Sequence, residues 1–135
     1  MASPSEDLQF AVHALLMGDA SVQAVVDGRV HDGRPVDGAF PAISYGPGGH
    51  VPDDYDCIDG RVETLQIDCW TRSKGQRRPC AALVDAVKDA LHEAASDLRT
   101  HALVRMQVTS TRIMEDPDGS TWHGIVSLEA EIEEA

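Results

Sequence analysis

The last third of the chain carries the pattern that most restricts the fold, two alternating apolar and polar runs joined by a tight-turn sequence. The first run extends from Leu103 to about Met114, and the second from Thr121 to Ile132. A period of two predicts strands, and Val104, Met106 and Val108 are expected on one face of the first. Between the runs stands Asp116-Pro117-Asp118-Gly119, whose glycine can supply a positive φ. The sequence therefore ends in a predicted hairpin.

A third alternating run extends from Arg61 to Arg72 and predicts another strand. Leu65, Ile67 and Cys69 share one face, and Trp70 lies on the opposite face. If helices cover only one face of the sheet, Trp70 meets solvent or another subunit, as an aromatic interface anchor does. The alternative is that the first helix covers this second face.

Three segments carry helical periodicity or helix-capping residues. The first begins at Ser3 or Ser5, the second begins at Asp19 or Ser21 and ends at Gly28, and the third runs from Arg78 to about Asp97. Pro79 suits the first turn of the third helix, where no N–H is needed.

Between the second helix and the third alternating run, we expect two short strands, 29–32 and 42–45, separated by a turn over 33–38. Residues Gly46–Gly60 are rich in glycine, proline and aspartate and predict a long acidic loop. The order of elements predicts an α+β fold, in which helices pack on one face of a mostly antiparallel sheet of four to five strands. Residues 1–135 are expected to form a single domain.

The charge balance restricts the partners. The chain has 23 acidic and 11 basic side chains and a formal net charge of −12, which argues against tight binding of nucleic acid. No apolar run reaches the roughly 18 residues of a membrane span. The first residues lack the basic start and apolar core of a secretory signal.

The three cysteines, Cys57, Cys69 and Cys80, form no CxxC pair and do not predict a zinc site or a cofactor. A reduced protein is the expected state, with a Cys57–Cys69 bridge as the alternative.

Two charged clusters are candidate sites. His50, Asp53, Asp54 and Asp56 resemble a ligand set for a hard cation, although the spacing does not fit a calcium loop. The alternative is an acidic surface that faces solvent or a partner. Four basic residues near the start of the third helix either form a solvated turn or pair with an acidic surface on a neighbour; they are Arg72, Lys74, Arg77 and Arg78.

The stretches Val26–Asp32 and Ala39–Gly46 together resemble the signature of tail-terminator proteins, also called tail-completion proteins, of long-tailed phages and gene transfer agents. Thr64–Arg72 is similar to that family's strand ending in Trp-Ser/Thr-Arg, and Ala81–Leu91 to the helix after it. Arg112–Gly119, with His123-Gly124, resembles the closing hairpin of the family.

This resemblance implies a structural, non-enzymatic protein of the virion tail or neck, assembled in the bacterial cytoplasm. It implies a ring, hexameric in the family, at the head-proximal end of the tail tube. Such a ring stops tube polymerisation, contacts the tube protein and the head–tail connector, and lets DNA pass without specific binding. The long loop Gly46–Gly60 and the hairpin tip Pro117–Gly119 would make the contacts.

The candidate interface residues are therefore Tyr45, His50, Asp53, Asp54, Tyr55, Asp56, Trp70, Arg72, Lys74, Arg77, Arg78 and Asp118. A heterologous ring contact needs two different complementary patches, and the basic cluster and the acidic loop are such a pair. Two other hypotheses stand beside the ring. One is a small divalent-metal-dependent enzyme using His50, Asp53, Asp54 and Asp56, and the other is a binding adaptor outside the virion.

Overall fold

The computed structural model describes residues 3–33 and 39–134, and most of the predicted turn over 33–38 lies outside this part of the chain. The helices are α1 (Pro4–Gly18), α2 (Ala20–Val26) and α3 (Arg78–Leu91), and a short 3-10 turn, Ser73–Gly75, precedes α3. The strands are β1 (Val30–His31), β2 (Ala42–Pro52), β3 (Gly60–Thr71), β4 (Ala102–Glu115) and β5 (Trp122–Glu133).

The five strands form one sheet in the order β1-β2-β3-β5-β4. β1 pairs with β2 in parallel, and every other pair is antiparallel. The predicted α+β class and the mostly antiparallel sheet are confirmed. No helix in the described ranges is long and apolar enough to cross a membrane.

Local chemistry starts the first two helices as the sequence predicted. The Ser3 hydroxyl accepts a 3.0 Å hydrogen bond from the N–H of Glu6 at the start of α1. The Asp19 carboxylate accepts one from the N–H of Val22 at the start of α2. Of the alternatives at each end, Ser3 and Asp19 are therefore the caps.

One core joins the three helices to one face of the sheet. Val12 from α1, Val26 from α2 and Leu83 from α3 are fully buried in the same cluster as Ile67 and Val126 of the sheet. The alternative in which the first helix covers the opposite face is therefore wrong. The sheet face that the helices leave uncovered is called the far face below.

The third helix ends at Leu91, so the predicted end near Asp97 is wrong. Glu93 has a left-handed backbone, with φ 57°. Its N–H donates to the Met106 carbonyl, and the His92 ring accepts from the N–H of Val108. The helix ends here because His92 and Glu93 hydrogen-bond to backbone groups of the edge strand β4 instead of continuing the helical hydrogen bonds.

β4 contains two irregularities that the alternation did not predict. Its register against β5 shifts between Leu103 and Arg105 and again between Val108 and Ser110. Met106 is buried, but Val104 lies at the first shift and is 51% exposed. The prediction that Val104 shares a face with Met106 is wrong, because a bulge turns one residue out of the alternation.

All three cysteines are free thiols. Cys57 is exposed, whereas Cys69 and Cys80 are buried, so the Cys57–Cys69 bridge is absent. Burial raises the pKa of Cys69, and the neighbouring Cys80 and Asp68 raise it further. The buried thiols are therefore unreactive packing groups.

Candidate functional site

A hairpin formed by the end of β2 and the start of β3 replaces most of the loop that the sequence predicted. β2 continues beyond Tyr45 to Pro52, paired with β3, and only residues 53–59 lie between the two strands. We call the hairpin from Gly46 to Gln66 the arm. Every residue from Pro47 to Asp59 is exposed, whereas the β3 half of the arm pairs with β5 and is mostly buried or half-buried.

Glycine permits the arm to pair where the sequence indicated a loop. The register of β2 against β3 shifts between Tyr45 and Gly48, which places a bulge at Gly46 and Pro47. A Cβ at Gly48 would overlap the carbonyl oxygen of Thr64. Only glycine therefore lets the two backbones approach this closely. The glycines and proline that led the sequence analysis to predict a loop here form part of a bulged strand.

The arm tip, residues 53–59, is held by its own hydrogen bonds. Tyr55 and Ile58 exchange backbone bonds of 3.1 and 2.9 Å, and the Asp54 carboxylate accepts from the N–H of Gly60 at 2.9 Å. The carbonyl of Asp59 accepts from the N–H of Glu134 at the end of the chain. The tip therefore has a defined conformation.

Three apolar side chains near the arm tip face water. Val51 is 67% exposed, Tyr55 48% and Ile58 41%. Tyr55 was predicted as an interface residue, whereas sequence reasoning missed Val51 and Ile58. The sequence did contain a signal, because Val51 and Ile58 are isolated apolar residues in a polar, acidic stretch and belong to no alternating or helical apolar pattern.

An ion-pair network lies beside the arm tip, where β3 begins. Arg61 lies 2.6 Å from Glu134 and 3.2 Å from Glu63, whose side chain is almost fully buried. Burial lowers the pKa of Arg61, but its hydrogen bonds to Glu134 and Glu63 raise it by more, so the guanidinium stays charged. The network fixes β3 against the end of β5, and hence fixes the direction of the arm.

The residues of the metal hypothesis are not brought together as a ligand set. His50 lies on β2 opposite Glu63, whereas Asp53, Asp54 and Asp56 lie at the arm tip. Within the described residues, no three His, Cys, Asp or Glu side chains are placed to hold a metal ion.

The basic residues lie at the end of the sheet opposite the arm tip. We call the surface formed by Arg72, Lys74, Arg77 and Arg78 the basic end. Arg72 stacks over the Phe40 ring, 4.4 Å from its centroid, and lies 3.9 Å from the Asp118 carboxylate. All four basic residues are exposed. No carboxylate in the described ranges lies within 4.0 Å of the nitrogens of Lys74, Arg77 or Arg78.

Asp118 serves the β4–β5 turn. It accepts hydrogen bonds from the Thr121 hydroxyl and from the N–H groups of Ser120 and Thr121. These bonds, with the charge of Arg72, lower the pKa of Asp118 to about 2. Gly119 has the predicted positive φ, 75°.

Trp70 lies on the far face as predicted, but it is not an exposed anchor. It is only 5% exposed, and its Nε1 donates to the Ser44 hydroxyl at 2.9 Å. The His123 ring stacks on its indole at 4.0 Å, with Nε2 2.7 Å from the Asp68 carboxylate. Neighbours on adjacent strands, Ser44 on β2 and His123 on β5, therefore contribute to the burial of Trp70.

Tyr45 points to the side of the sheet that carries the helices. Its hydroxyl lies 3.2 Å from Nδ1 of His13, and it lines a cleft of about 430 Å³ with Phe10 and Asp32. Burial, and to a smaller extent the charge of Asp32, raise the pKa of Tyr45. Neither Tyr45 nor Trp70 is therefore part of the arm tip or of the basic end, which are two exposed surfaces of opposite charge.

Comparison with known proteins gives a family and a fold. The family model described as tail completion protein gp17 matches residues 10–133. A solved chain described as "Virion of native gene transfer agent (GTA) particle" has the same fold, with a TM-score of 0.88, 24% sequence identity, and 98% of this chain and 99% of that chain covered. A search of curated protein sequences finds no match. Because the family model covers all but the ends of the sequence, the chain belongs to the tail completion protein gp17 family.

Proposed function

We propose that the chain forms a ring, hexameric as the resemblance implies, at the head-proximal end of a tail tube. As a member of its family, the chain is a structural protein of a phage-type virion, in its tail or neck. In the proposal, the ring stops polymerisation of the tube protein and presents a surface to the head–tail connector. The role is structural and not enzymatic.

The observation that carries this proposal is the family match over residues 10–133. The fold is consistent with it, because the sheet and helices align with a chain of a gene transfer agent virion along almost the whole length of both. The two segments to which the resemblance assigns the ring and tube contacts, residues 46–60 and 117–119, lie within the residues 10–133 that the family model matches.

The charge of the chain supports the passage of DNA through such a ring. Tight binding of phosphates would slow the DNA, and a subunit with a formal net charge of −12 repels them. In the proposal, DNA therefore meets the ring without specific binding. A map of the assembled ring in which basic side chains dominate the lumen would contradict this part.

Mass measurement tests the ring directly. We expect native mass spectrometry and light scattering of the purified chain, alone or with tube protein, to show a closed species of six subunits. Added to polymerising tube protein, the chain should stop growth of the tubes and appear at one tube end in electron micrographs. A chain that stays monomeric at high concentration, with and without tube protein, would contradict the proposal.

A further inference from the structure

We propose that the subunits of the ring contact one another head to tail, with the arm tip of one copy on the basic end of the next. This inference rests on the proposed ring and names the surfaces that build it. It is carried by charge, exposed apolar surface, rigidity and the distance between the two ends.

Opposite charges without ion-pair partners lie at opposite ends of the molecule. At the arm tip, Asp53, Asp56 and Asp59 have no basic nitrogen within 4.0 Å among the described residues. At the basic end, the nitrogens of Lys74, Arg77 and Arg78 likewise have no carboxylate within 4.0 Å among the described residues. Each surface therefore offers three charges that complement those of the other, and such complementarity steers association and fixes its register.

The two surfaces cannot meet within one copy. β3 runs from Gly60, beside the arm tip, to Thr71, beside the basic end. Twelve residues of strand separate the ends by roughly 35 Å. Only another copy can bring a basic end to the arm tip. A contact between two different surfaces is heterologous, and it forms a closed ring when the rotation between neighbouring copies closes.

The arm tip and the adjoining end of β2 also carry the apolar surface that a stable contact needs. Val51, Tyr55 and Ile58 are half of the large hydrophobic side chains exposed among the described residues. On the receiving side, the arginines offer aliphatic stems, and Arg72 already stacks on the Phe40 ring. The Tyr55 ring supplies a further aromatic face to which a guanidinium can bind.

The arm tip is ordered before it binds. The Tyr55–Ile58 backbone bonds, the Asp54 bond to Gly60 and the Arg61–Glu134 pair fix its shape and direction within one copy. A preformed surface loses little conformational entropy on docking. The arm therefore has the properties of a rigid connector between neighbouring subunits.

Paired charge reversals test the contact. Variant A carries Asp53→Lys and Asp59→Lys, and variant B carries Arg77→Glu and Arg78→Glu. Each variant alone sets like charges against each other, so we expect its self-association to weaken by at least about tenfold. Mixed in equal amounts, the two variants regain opposite charges at every contact, so an alternating ring with three copies of each should form.

The controls separate this contact from general effects of charge and folding. Asp85→Lys with Asp89→Lys makes the same change in net charge as variant A, on the exposed surface of α3, and it should leave the ring intact. All variants should keep the circular dichroism spectrum and urea midpoint of the parent, because the changed residues are exposed. Cys57, which lies in the arm tip, is an independent probe, since its alkylation rate should fall on assembly of the parent chain.

Three outcomes would overturn the inference. Variants A and B could each assemble like the parent, or fail to assemble when mixed. They could also form normal rings that no longer bind tube or connector, which would assign the arm to those partners. A parent chain that itself never assembles is a different result, because it overturns the ring and this contact together.

Discussion

The carboxylate of Asp7 accepts a 2.8 Å hydrogen bond from the backbone N–H of Thr100, which lies 93 residues further along the chain. Asp7 is fully buried and also accepts from the N–H groups of Arg99 and His101 and lies 2.9 Å from the His101 ring. These bonds tie the start of α1 to the segment that leads into β4. One carboxylate thus joins the helical layer to the edge of the sheet.

Replacing Asp7 with alanine should destabilise the protein strongly. The variant leaves three backbone N–H groups and the His101 ring without their acceptor, so we expect the free energy of unfolding to fall by about 3 kcal/mol. Urea unfolding at neutral pH measures the change. Asp89→Ala, which removes an exposed carboxylate on α3, is the control and should change it by less than about 0.5 kcal/mol. Equal effects of the two substitutions would show that the tether is unimportant.

The stabilisation from Asp7 should also depend on pH. Burial raises the pKa of Asp7, but its bonds from Thr100, His101 and Arg99 outweigh burial and hold the pKa well below its usual range. Since the folded pKa is the lower one, the unfolded chain binds the proton first. The stabilisation is therefore complete above the unfolded pKa of about 4 and is lost as the pH falls towards the folded value.

The difference in unfolding free energy between the parent and Asp7→Asn isolates this effect. The other carboxylates, including Asp118, titrate in both proteins, and their contributions cancel. We expect the difference to be larger at pH 6 than at pH 3. A difference that stays constant over this range would contradict the assigned pKa shift.

The buried Trp70–Ser44 hydrogen bond on the far face should be measurable by a double-mutant cycle. Trp70→Phe removes the donor, and Ser44→Ala removes the acceptor, of the 2.9 Å hydrogen bond from Trp70 Nε1 to the Ser44 hydroxyl. The double variant removes both groups. We expect a coupling free energy of about 1 kcal/mol from urea unfolding of the four proteins. Strictly additive effects would show that this bond does not stabilise the fold.

Local sequence signals predicted the parts of the fold that depend on neighbouring residues. The Ser3 and Asp19 caps, the Gly119 turn and the alternation of β5 each depend on residues a few positions apart. These short-range relationships determine hydrogen bonds that the sequence shows directly.

The parts that sequence reasoning missed depend on residues far apart. Asp7 lies in the first turn of α1, where acidic residues are common, and its partners at 99–101 gave no local signal. Trp70 was placed on the correct face, but alternation does not say that Ser44 and His123 would bury it. The arm was missed because the close approach of Gly48 to Thr64 is a property of strand pairing, which composition does not reveal. The exposed basic and acidic surfaces were predicted, and their separation along β3 was not.

The packing of α3 on the sheet should depend on the missing side chain at Gly124. A Cβ there would overlap the Cγ2 of Val84 and lie 3.2 Å from the sulfur of Cys80. We expect Gly124→Ala to lower the free energy of unfolding by about 2 kcal/mol, since it overpacks the helix–sheet contact. Because the nearest obstructing atom belongs to a side chain, Val84→Ala should relieve part of the loss. The double variant should therefore be more stable than the sum of the single effects predicts.

Gly49→Ala, at a β2 position with no heavy atom within 4 Å of the added carbon, is the matched control and should be nearly neutral. The urea midpoints of the parent and the four variants measure these changes in stability. Simple additivity of the Gly124 and Val84 effects would show that the two residues do not limit how closely α3 approaches the sheet.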